Sequence, residues 1–150
     1  MAQVVIFNGV DISTLNPHNF HLKNDYIDNL LSTAFLIFPK LKSIFGNTSV
    51  RIEKAFLSAS YVRNNFTTIT DNLLAYTKGL AVEFTWEGFD NDSATQVALH
   101  LYDAIKEPVL IIIKTFSNRL YVRRNVKEKK ILEYNSTNEK RVIRIDKLED

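Results

Sequence analysis

Residues 109–113 read Val-Leu-Ile-Ile-Ile, and this stretch decides the fold. An unbroken apolar run is typical of a strand in the middle of a sheet, because both faces of such a strand are covered by protein. A strand with one face in water would instead alternate apolar and polar side chains. The sequence therefore predicts a central strand over Val109–Ile113.

Shorter and more polar strands are predicted on both sides of this central strand. The two candidates after it follow at short intervals, which indicates that neighbouring strands are joined by tight turns. The predicted strands are Val4–Phe7, Val50–Ser58, Leu80–Trp86, Arg119–Arg123 and Lys129–Tyr134, with Arg141–Ile145 as an edge strand or a tail.

A long helix is predicted to begin near Asn24, a residue type that caps helix N-termini well. Apolar residues then recur at helical spacing, so Leu31, Phe35 and Phe38 are expected to lie buried against the sheet. Pro39 is expected to kink or restart this helix. On this interpretation, Phe35→Ala removes a core side chain and costs about 3–5 kcal/mol.

A second, shorter helix is predicted over Ala94–Ile105, with Ser93 as its N-cap and His100 on its exposed side. By contrast, residues 60–78 have no steady period and predict a long loop, and loops of this length in compact domains are usually functional. The helix residues expected to face inward are Val97, Ala98, Leu101, Tyr102 and Ile105.

These segments together predict one domain of the α+β class over residues 1–150, with a central mixed or antiparallel sheet, one long helix and one shorter helix. The closely spaced late strands exclude a doubly wound parallel fold. The four glycines are scattered along the chain, so no phosphate-cradling loop is expected.

The composition excludes several classes of protein. With 45% apolar and 24% charged residues, the chain is expected to fold and not to span a membrane. The absence of cysteine excludes thiolate nucleophiles and disulfides. His18, His21 and His100 are few for histidine metal chemistry. No secretory signal is visible near the first residue, so synthesis in the cytoplasm is expected.

Positive charge is concentrated in the last quarter of the chain. Residues 114–150 carry a net charge of +5, whereas residues 1–113 carry −3. This pattern indicates either an anionic partner or a solvated hairpin whose lysines protect an edge strand. The candidate anion or partner face consists of Arg119, Arg123, Arg124, Lys127, Lys129 and Lys130.

One segment resembles a family motif. Residues 76–83 read Tyr-Thr-Lys-Gly-Leu-Ala-Val-Glu. In zinc D-Ala-D-Ala carboxypeptidases and L-alanyl-D-glutamate endopeptidases, a zinc-binding His is followed by Gly, then Ala, then a zinc-binding Asp at this spacing. Gly79 and Ala81 match the motif, whereas Tyr76 and Glu83 stand in place of the His and the Asp.

The resemblance implies a D-Ala-D-Ala carboxypeptidase-like core over residues 20–135, with residues 136–150 as a C-terminal edge strand or tail. It places Tyr121 at the position of the last zinc-binding His. It also places Tyr61 and Arg63 in a segment that is similar to Ser-Gly-Tyr-Arg in the family. These two residues are therefore candidates for ligand binding, with Arg63 holding a carboxylate.

The residue types at these positions argue against catalysis. Zinc hydrolysis needs three protein ligands and an open position for water. Tyrosine, with an ordinary pKa near 10, replaces imidazole poorly. No metal, cofactor or catalytic residue is therefore expected. The resemblance instead implies a vestigial site in which Tyr76, Glu83 and Tyr121 converge and a tyrosine hydroxyl donates a hydrogen bond to Glu83.

The favoured function is a catalytically inactive peptidase-like domain that acts as a structural or binding module. The resemblance implies a bacteriophage setting, such as a virion or assembly component whose partners are other protein subunits. One alternative is a peptidoglycan binder or a residual cell-wall endopeptidase. Another is an accessory nucleic-acid-binding protein that uses the basic last quarter of the chain.

Overall fold

The structure, a computed structural model, describes residues 5–7, 9–46, 48–135 and 140–146. Helices lie among the earlier strands, and the last four described strands follow one another directly. The strands are β1 (Val5–Phe7), β2 (Val10–Asp11), β3 (Val50–Lys54), β4 (Ala81–Trp86), β5 (Leu110–Lys114), β6 (Arg119–Arg123), β7 (Lys129–Tyr134) and β8 (Lys140–Asp146). The helices are α1 (Asn24–Ile37), α2 (Lys42–Phe45), α3 (Ala59–Asn65), α4 (Asp71–Leu74) and α5 (Asn91–Ala104), with 3-10 turns at Phe38–Leu41 and Ala75–Lys78.

Six strands form one mixed sheet in the order β3-β4-β6-β5-β7-β8. Within the described sheet β5 and β7 run parallel, and the other neighbours run antiparallel. The strands β1 and β2 form a separate two-stranded ribbon. The predicted α+β class is confirmed, and β5, which holds most of the apolar run, has a strand on each side.

The predicted strand ends are mostly close to those in the structure. β6 and β7 have the predicted bounds, and the predicted edge segment lies within β8, the outermost strand. β3 ends at Lys54 and not at Ser58, because the chain leaves the sheet there and the Phe56 N–H donates to the Leu15 carbonyl at 3.0 Å. Val4, residues 136–139 and residues 147–150 lie outside the described residues.

The two long helices, α1 and α5, pack on one face of the sheet. All five residues of the second helix that were expected to face inward are buried. No described helix has the length and apolar character needed to cross a membrane. The buried strand residues on this face are Val82, Phe84, Ile111, Ile113, Leu120, Val122 and Ile131.

The prediction for the buried face of α1 is partly wrong. Phe38 is fully buried, but Phe35 is 48% exposed and Leu31 is half-buried. The buried stripe instead includes Thr33, whose hydroxyl donates to the Gly79 carbonyl at 2.8 Å. A threonine can lie in a buried stripe when its hydroxyl is hydrogen-bonded. The buried stripe of α1 is therefore rotated about the helix axis, compared with the stripe that the apolar residues alone predict.

The predicted capping residues of both long helices are wrong by one to three positions. Lys23 is the N-cap of α1, and it makes no side-chain capping bond, whereas Asn24 is the first helical residue. Asp90 caps α5, and Ser93 is the third helical residue of a capping box. Asp90 accepts the Ser93 N–H at 2.7 Å, and Ser93 Oγ accepts the Asp90 N–H at 3.1 Å.

Residues 60–78 form short helices rather than the predicted long loop. The Ser58 hydroxyl accepts the Tyr61 N–H, and the Thr70 hydroxyl accepts the Leu73 N–H, so each starts a new helix. These helices are too short to show a period, which is why the sequence pattern indicates a loop. They cover part of the second face of the sheet, where a second apolar cluster contains Leu57, Val62, Ala75, Tyr76, Ala81, Leu110, Ile112 and Tyr121.

Candidate functional site

The structure brings together the three residues that were expected to form a vestigial site. The rings of Tyr76 and Tyr121 meet edge to face, with centroids 5.6 Å apart. Glu83 on β4 lies directly opposite Tyr121 on β6. All three side chains are buried. The convergence follows from the pairing of β4 with β6, which joins segments far apart in the chain.

The expected hydrogen bond from a tyrosine hydroxyl to Glu83 is wrong. Glu83 Oε1 instead accepts from Lys114 Nζ at 2.5 Å, and Oε2 accepts from Arg119 Nη1 at 3.1 Å. The pairing of β5 with β6 puts Lys114 opposite Arg119, so both cations lie beside the carboxylate. Two cations compensate a buried carboxylate better than a hydroxyl dipole, because an unpaired buried charge is costly.

The two tyrosine hydroxyls have different surroundings. Tyr121 Oη donates to the Asn72 carbonyl at 2.7 Å, whereas the Tyr76 hydroxyl has no hydrogen-bond partner among the described residues. Burial raises the pKa of Tyr76 well above its ordinary value, and the charge of Glu83 adds to this effect. Burial also raises the pKa of Tyr121. Both phenols therefore stay protonated near neutral pH, and a protonated phenol is a poor metal ligand.

Two of the three histidines have contacts elsewhere in the fold. The His18 ring packs 4.7 Å from the Tyr61 ring. His100 is half-buried rather than exposed as predicted, with Nε2 2.7 Å from the Lys40 carbonyl oxygen. Across the part of the chain that the structure describes, no three His, Asp or Glu side chains gather in a way that could hold a metal ion.

A groove opens on the second face of the sheet, beside the contact between Tyr76 and Tyr121. This open-face groove has a volume of about 950 Å³ and lies between α4 and the outer strands β7 and β8. Its floor is apolar, because Leu110, Ile112 and Leu132 lie on this face of two neighbouring parallel strands. A groove of this volume with an apolar floor is typical of a binding site.

Positive charge lines the open-face groove. Among the described residues, six cationic ones contribute to its wall, compared with two acidic ones, Asp71 and Glu128. The excess of positive charge favours an anionic ligand. The six cationic residues are Lys54, Lys114, Arg123, Lys127, Lys130 and Lys140.

The six residues predicted as one basic face do not form one surface. Arg123, Lys127 and Lys130 line the open-face groove. Arg119 is held by acidic residues of its own chain, and Arg124 Nε lies 3.4 Å from Glu107. Lys129 lies on the helix side, where Nζ donates to the Ile105 carbonyl. Lys129 and Lys130 separate because neighbouring residues of a strand point to opposite faces, whereas Arg119 is drawn to Glu53 and Glu83.

The predicted ligand-binding pair, Tyr61 and Arg63, lies outside the open-face groove. The Tyr61 ring packs against His18, and also against Phe20 and Phe66 with centroids 5.6 and 6.4 Å away. Arg63 is exposed on α3. The structure therefore separates these two residues from the wall of the groove.

Three groove lysines, Lys54, Lys114 and Lys140, received no binding role from the sequence. For one of them a signal was present, because Leu110, Ile112 and Lys114 alternate onto one face of a strand. For Lys54 and Lys140 no local sequence pattern predicts a place in the groove. They lie on the two outermost strands, and only the strand order of the sheet brings them to the groove wall.

Comparison with known protein families, with curated proteins and with solved structures found no match. The function is therefore argued from the open-face groove and its charges.

Proposed function

We propose that this chain is a non-catalytic binding module that holds an acidic segment of another protein in the open-face groove. The observation that carries the proposal is the combination of an apolar floor with a wall of six cationic residues and two acidic ones. An acidic segment with interspersed apolar residues matches both properties, since its apolar side chains cover the floor and its carboxylates meet the lysines.

The buried charges of the sheet support a binding role over hydrolysis. Glu83 is 1% exposed, and both of its oxygens are held by Lys114 and Arg119. A carboxylate compensated in this way is engaged in the fold. The resemblance to zinc peptidases supports the same class of function, because a peptidase-like domain without zinc ligands is suited to a place in a larger assembly, such as a bacteriophage virion.

Two tyrosine rings of the open-face groove favour a protein ligand over a single-stranded nucleic acid. Bases bind by stacking on accessible ring faces. Here Lys114 Nζ lies 5.3 Å from the ring centre of Tyr121, and Lys140 Nζ lies 5.1 Å from that of Tyr134. Lysines therefore lie over these two rings, at faces that stacked bases would need.

The proposal is tested with a fluorescein-labelled peptide of about eight alternating leucine and glutamate residues. Fluorescence anisotropy measures its affinity for the wild type and for the double variant Lys127→Glu/Lys130→Glu. We expect the variant to bind at least about tenfold more weakly, because two attractions become repulsions. The control is Lys42→Glu/Lys106→Glu, which changes the net charge equally at two exposed residues outside the groove.

Three outcomes would contradict the proposal. The first is that the peptide does not bind, and the second is that both double variants lose affinity equally. The third is a preference for another class of ligand, sensitive to Lys127→Glu/Lys130→Glu. A tighter complex with oligothymidine would indicate a nucleic-acid binder, and retention on purified cell walls would indicate a peptidoglycan binder.

A further inference from the structure

Lys54 is a cation of the open-face groove that no carboxylate in the described structure neutralises. Its Cα pairs with that of Glu83 across β3 and β4, but none of the described ion pairs includes its Nζ. The reason is that Lys114 and Arg119 already hold both oxygens of Glu83. Lys54 Nζ instead lies over the rings of Phe66 and Tyr76, 5.5 and 5.9 Å from their centres.

The charges around Lys54 are predominantly positive. The cluster holds two carboxylates, those of Glu53 and Glu83, and four cations, of which Lys54 has no ion pair among the described residues; the other three are Arg51, Lys114 and Arg119. Burial lowers the pKa of Lys54, and the positive charges of Lys114 and Arg119 lower it further, against the opposite effect of Glu83. A negative group placed beside Lys54 would relieve both the repulsion and the lost hydration.

The Tyr76 hydroxyl is a second unsatisfied donor on the same wall. The side chain is 3% exposed and lines the open-face groove, yet its oxygen has no partner among the described residues. Buried hydroxyls are almost always hydrogen-bonded. Burial and the charge of Glu83 hold the pKa of Tyr76 above its ordinary range. The hydroxyl therefore stays protonated and can donate a hydrogen bond to a ligand.

We propose that Lys54 Nζ and the Tyr76 hydroxyl form a carboxylate-binding subsite on the β3 side of the open-face groove. The proposal rests on the proposed function, because the carboxylate belongs to the acidic segment that the groove holds. A single carboxylate would give Lys54 the ion-pair partner that it lacks among the described residues. The hydroxyl adds a hydrogen bond to the ion pair with Lys54.

The subsite is tested with the labelled leucine–glutamate peptide and the variants Lys54→Met and Tyr76→Phe. Each removes a donor and keeps the apolar part of the side chain. We expect each variant to weaken peptide binding about fivefold or more. The double variant is expected to lose less affinity than the product of the two single losses, because both side chains act on one carboxylate. Lys23→Met and Tyr26→Phe are matched controls, since Lys23 Nζ lies 5.8 Å from the Tyr26 ring outside the groove.

A second measurement separates the subsite from a general loss of positive charge. The pKa of Lys54 is followed through the 13Cε chemical shift of labelled lysine, with and without saturating peptide. We expect binding to raise the pKa of Lys54 by about one unit, because a carboxylate favours the charged amine. The 13Cε signal of Lys23 serves as the control and is expected not to respond to the peptide.

The outcomes distinguish the two proposals. If the peptide binds and depends on Lys127 and Lys130, but Lys54→Met and Tyr76→Phe behave like their controls, the subsite is overturned and the proposed function stands. An unchanged pKa of Lys54 in the saturated complex also overturns the subsite. If the peptide does not bind at all, both proposals fail.

Discussion

At the scale of single residues, Gly79 shows how one position ties the sheet to a helix. Its φ is +74°, in the left-handed region, and a Cβ there would lie 2.8 Å from the Tyr26 oxygen and 2.9 Å from the Leu30 nitrogen. The close approach lets Thr33 on α1 donate to the Gly79 carbonyl. Only glycine combines this conformation with this contact.

Gly79→Ala is expected to lower the free energy of unfolding by more than Gly88→Ala. Both residues have positive φ, but a Cβ at Gly88 meets nothing within 4 Å. The conformation alone costs about 1–2 kcal/mol, and the clash of Gly79→Ala with the backbone of α1 adds about 1–3 kcal/mol. Urea denaturation measures both values, and equal losses would show that the contact with α1 is unimportant.

The second prediction at this scale concerns the buried hydroxyl of Tyr76. Burial raises the pKa of Tyr76 in the folded state above the ordinary value of 10.0. The stability that the buried, protonated phenol contributes is therefore complete below pH 10 and is lost as the pH rises through the folded-state pKa. The reason is that the phenol of the unfolded chain releases its proton at a lower pH than the buried phenol does.

We expect the stability difference between the wild type and Tyr76→Phe to be constant from about pH 7 to 9, and to shift in favour of the variant above about pH 10. Chemical denaturation at several pH values measures this difference. Parallel stability curves up to pH 11 would mean that the phenol of Tyr76 ionises as easily in the folded protein as in the unfolded chain.

At the scale of elements, the buried stripe of α1 continues through its junction with the 3-10 turn Phe38–Leu41. Phe38 is fully buried, with its ring centre 5.0 Å from that of Phe84 and 6.3 Å from that of Phe7. Phe35, on the preceding turn of helix, is 48% exposed. Phe38 follows Leu30 and Ala34 at helical spacing, whereas Phe35 lies beside this stripe.

This buried stripe reverses the mutational prediction made for Phe35. Phe38→Ala is expected to cost about 3–5 kcal/mol, because it leaves a cavity among aromatic rings. Phe35→Ala, the same truncation at a half-exposed position, is expected to cost less than about 1 kcal/mol. Urea denaturation measures the free energy of unfolding of the two variants. A larger loss of stability for Phe35→Ala would show that the face of α1 that carries Phe35, and not the buried stripe, packs on the sheet.

At the scale of the whole molecule, β5 and β6 lie at the centre of the six-stranded sheet, and their apolar residues are buried on both faces. These residues belong to both apolar clusters, one under α1 and α5 and the other on the face that the 57–76 segment partly covers. β1 and β2, by contrast, form a separate two-stranded ribbon among the described strands. Stability is therefore expected to fall from the centre of the sheet outward.

Amide hydrogen exchange measures this gradient. We expect amides in β5 and β6 to exchange at least about 100-fold more slowly than those in β1 and β2, because central strands open only when the whole domain unfolds. The amides of the edge strand β3 are expected to exchange at rates between those of the central strands and those of β1 and β2. Equal protection across β5 and β1 would contradict the arrangement of the sheet.

Much of the fold follows from local sequence. The apolar run of β5, the bounds of β6 and β7, and the buried face of α5 are predicted correctly, because each depends on the spacing of residues along one strand or helix. The short helices within residues 60–78 are missed, since one or two turns are too few to show a period. The cap of α5 is misplaced because neighbouring residues of similar type compete for the position, whereas α1 begins after Lys23, which makes no side-chain capping bond.

By itself the sequence determined the α+β class and the central strand, and the resemblance to zinc peptidases implied that Tyr76, Glu83 and Tyr121 would lie close together. Only the tertiary structure decided the ion pairs of Glu83 and the open-face groove. Lys114 and Arg119 reach Glu83 because three strands from separate parts of the chain become neighbours in the order β4-β6-β5. Strand order is set by pairing and burial across the whole sheet, and no local period in the sequence contains it.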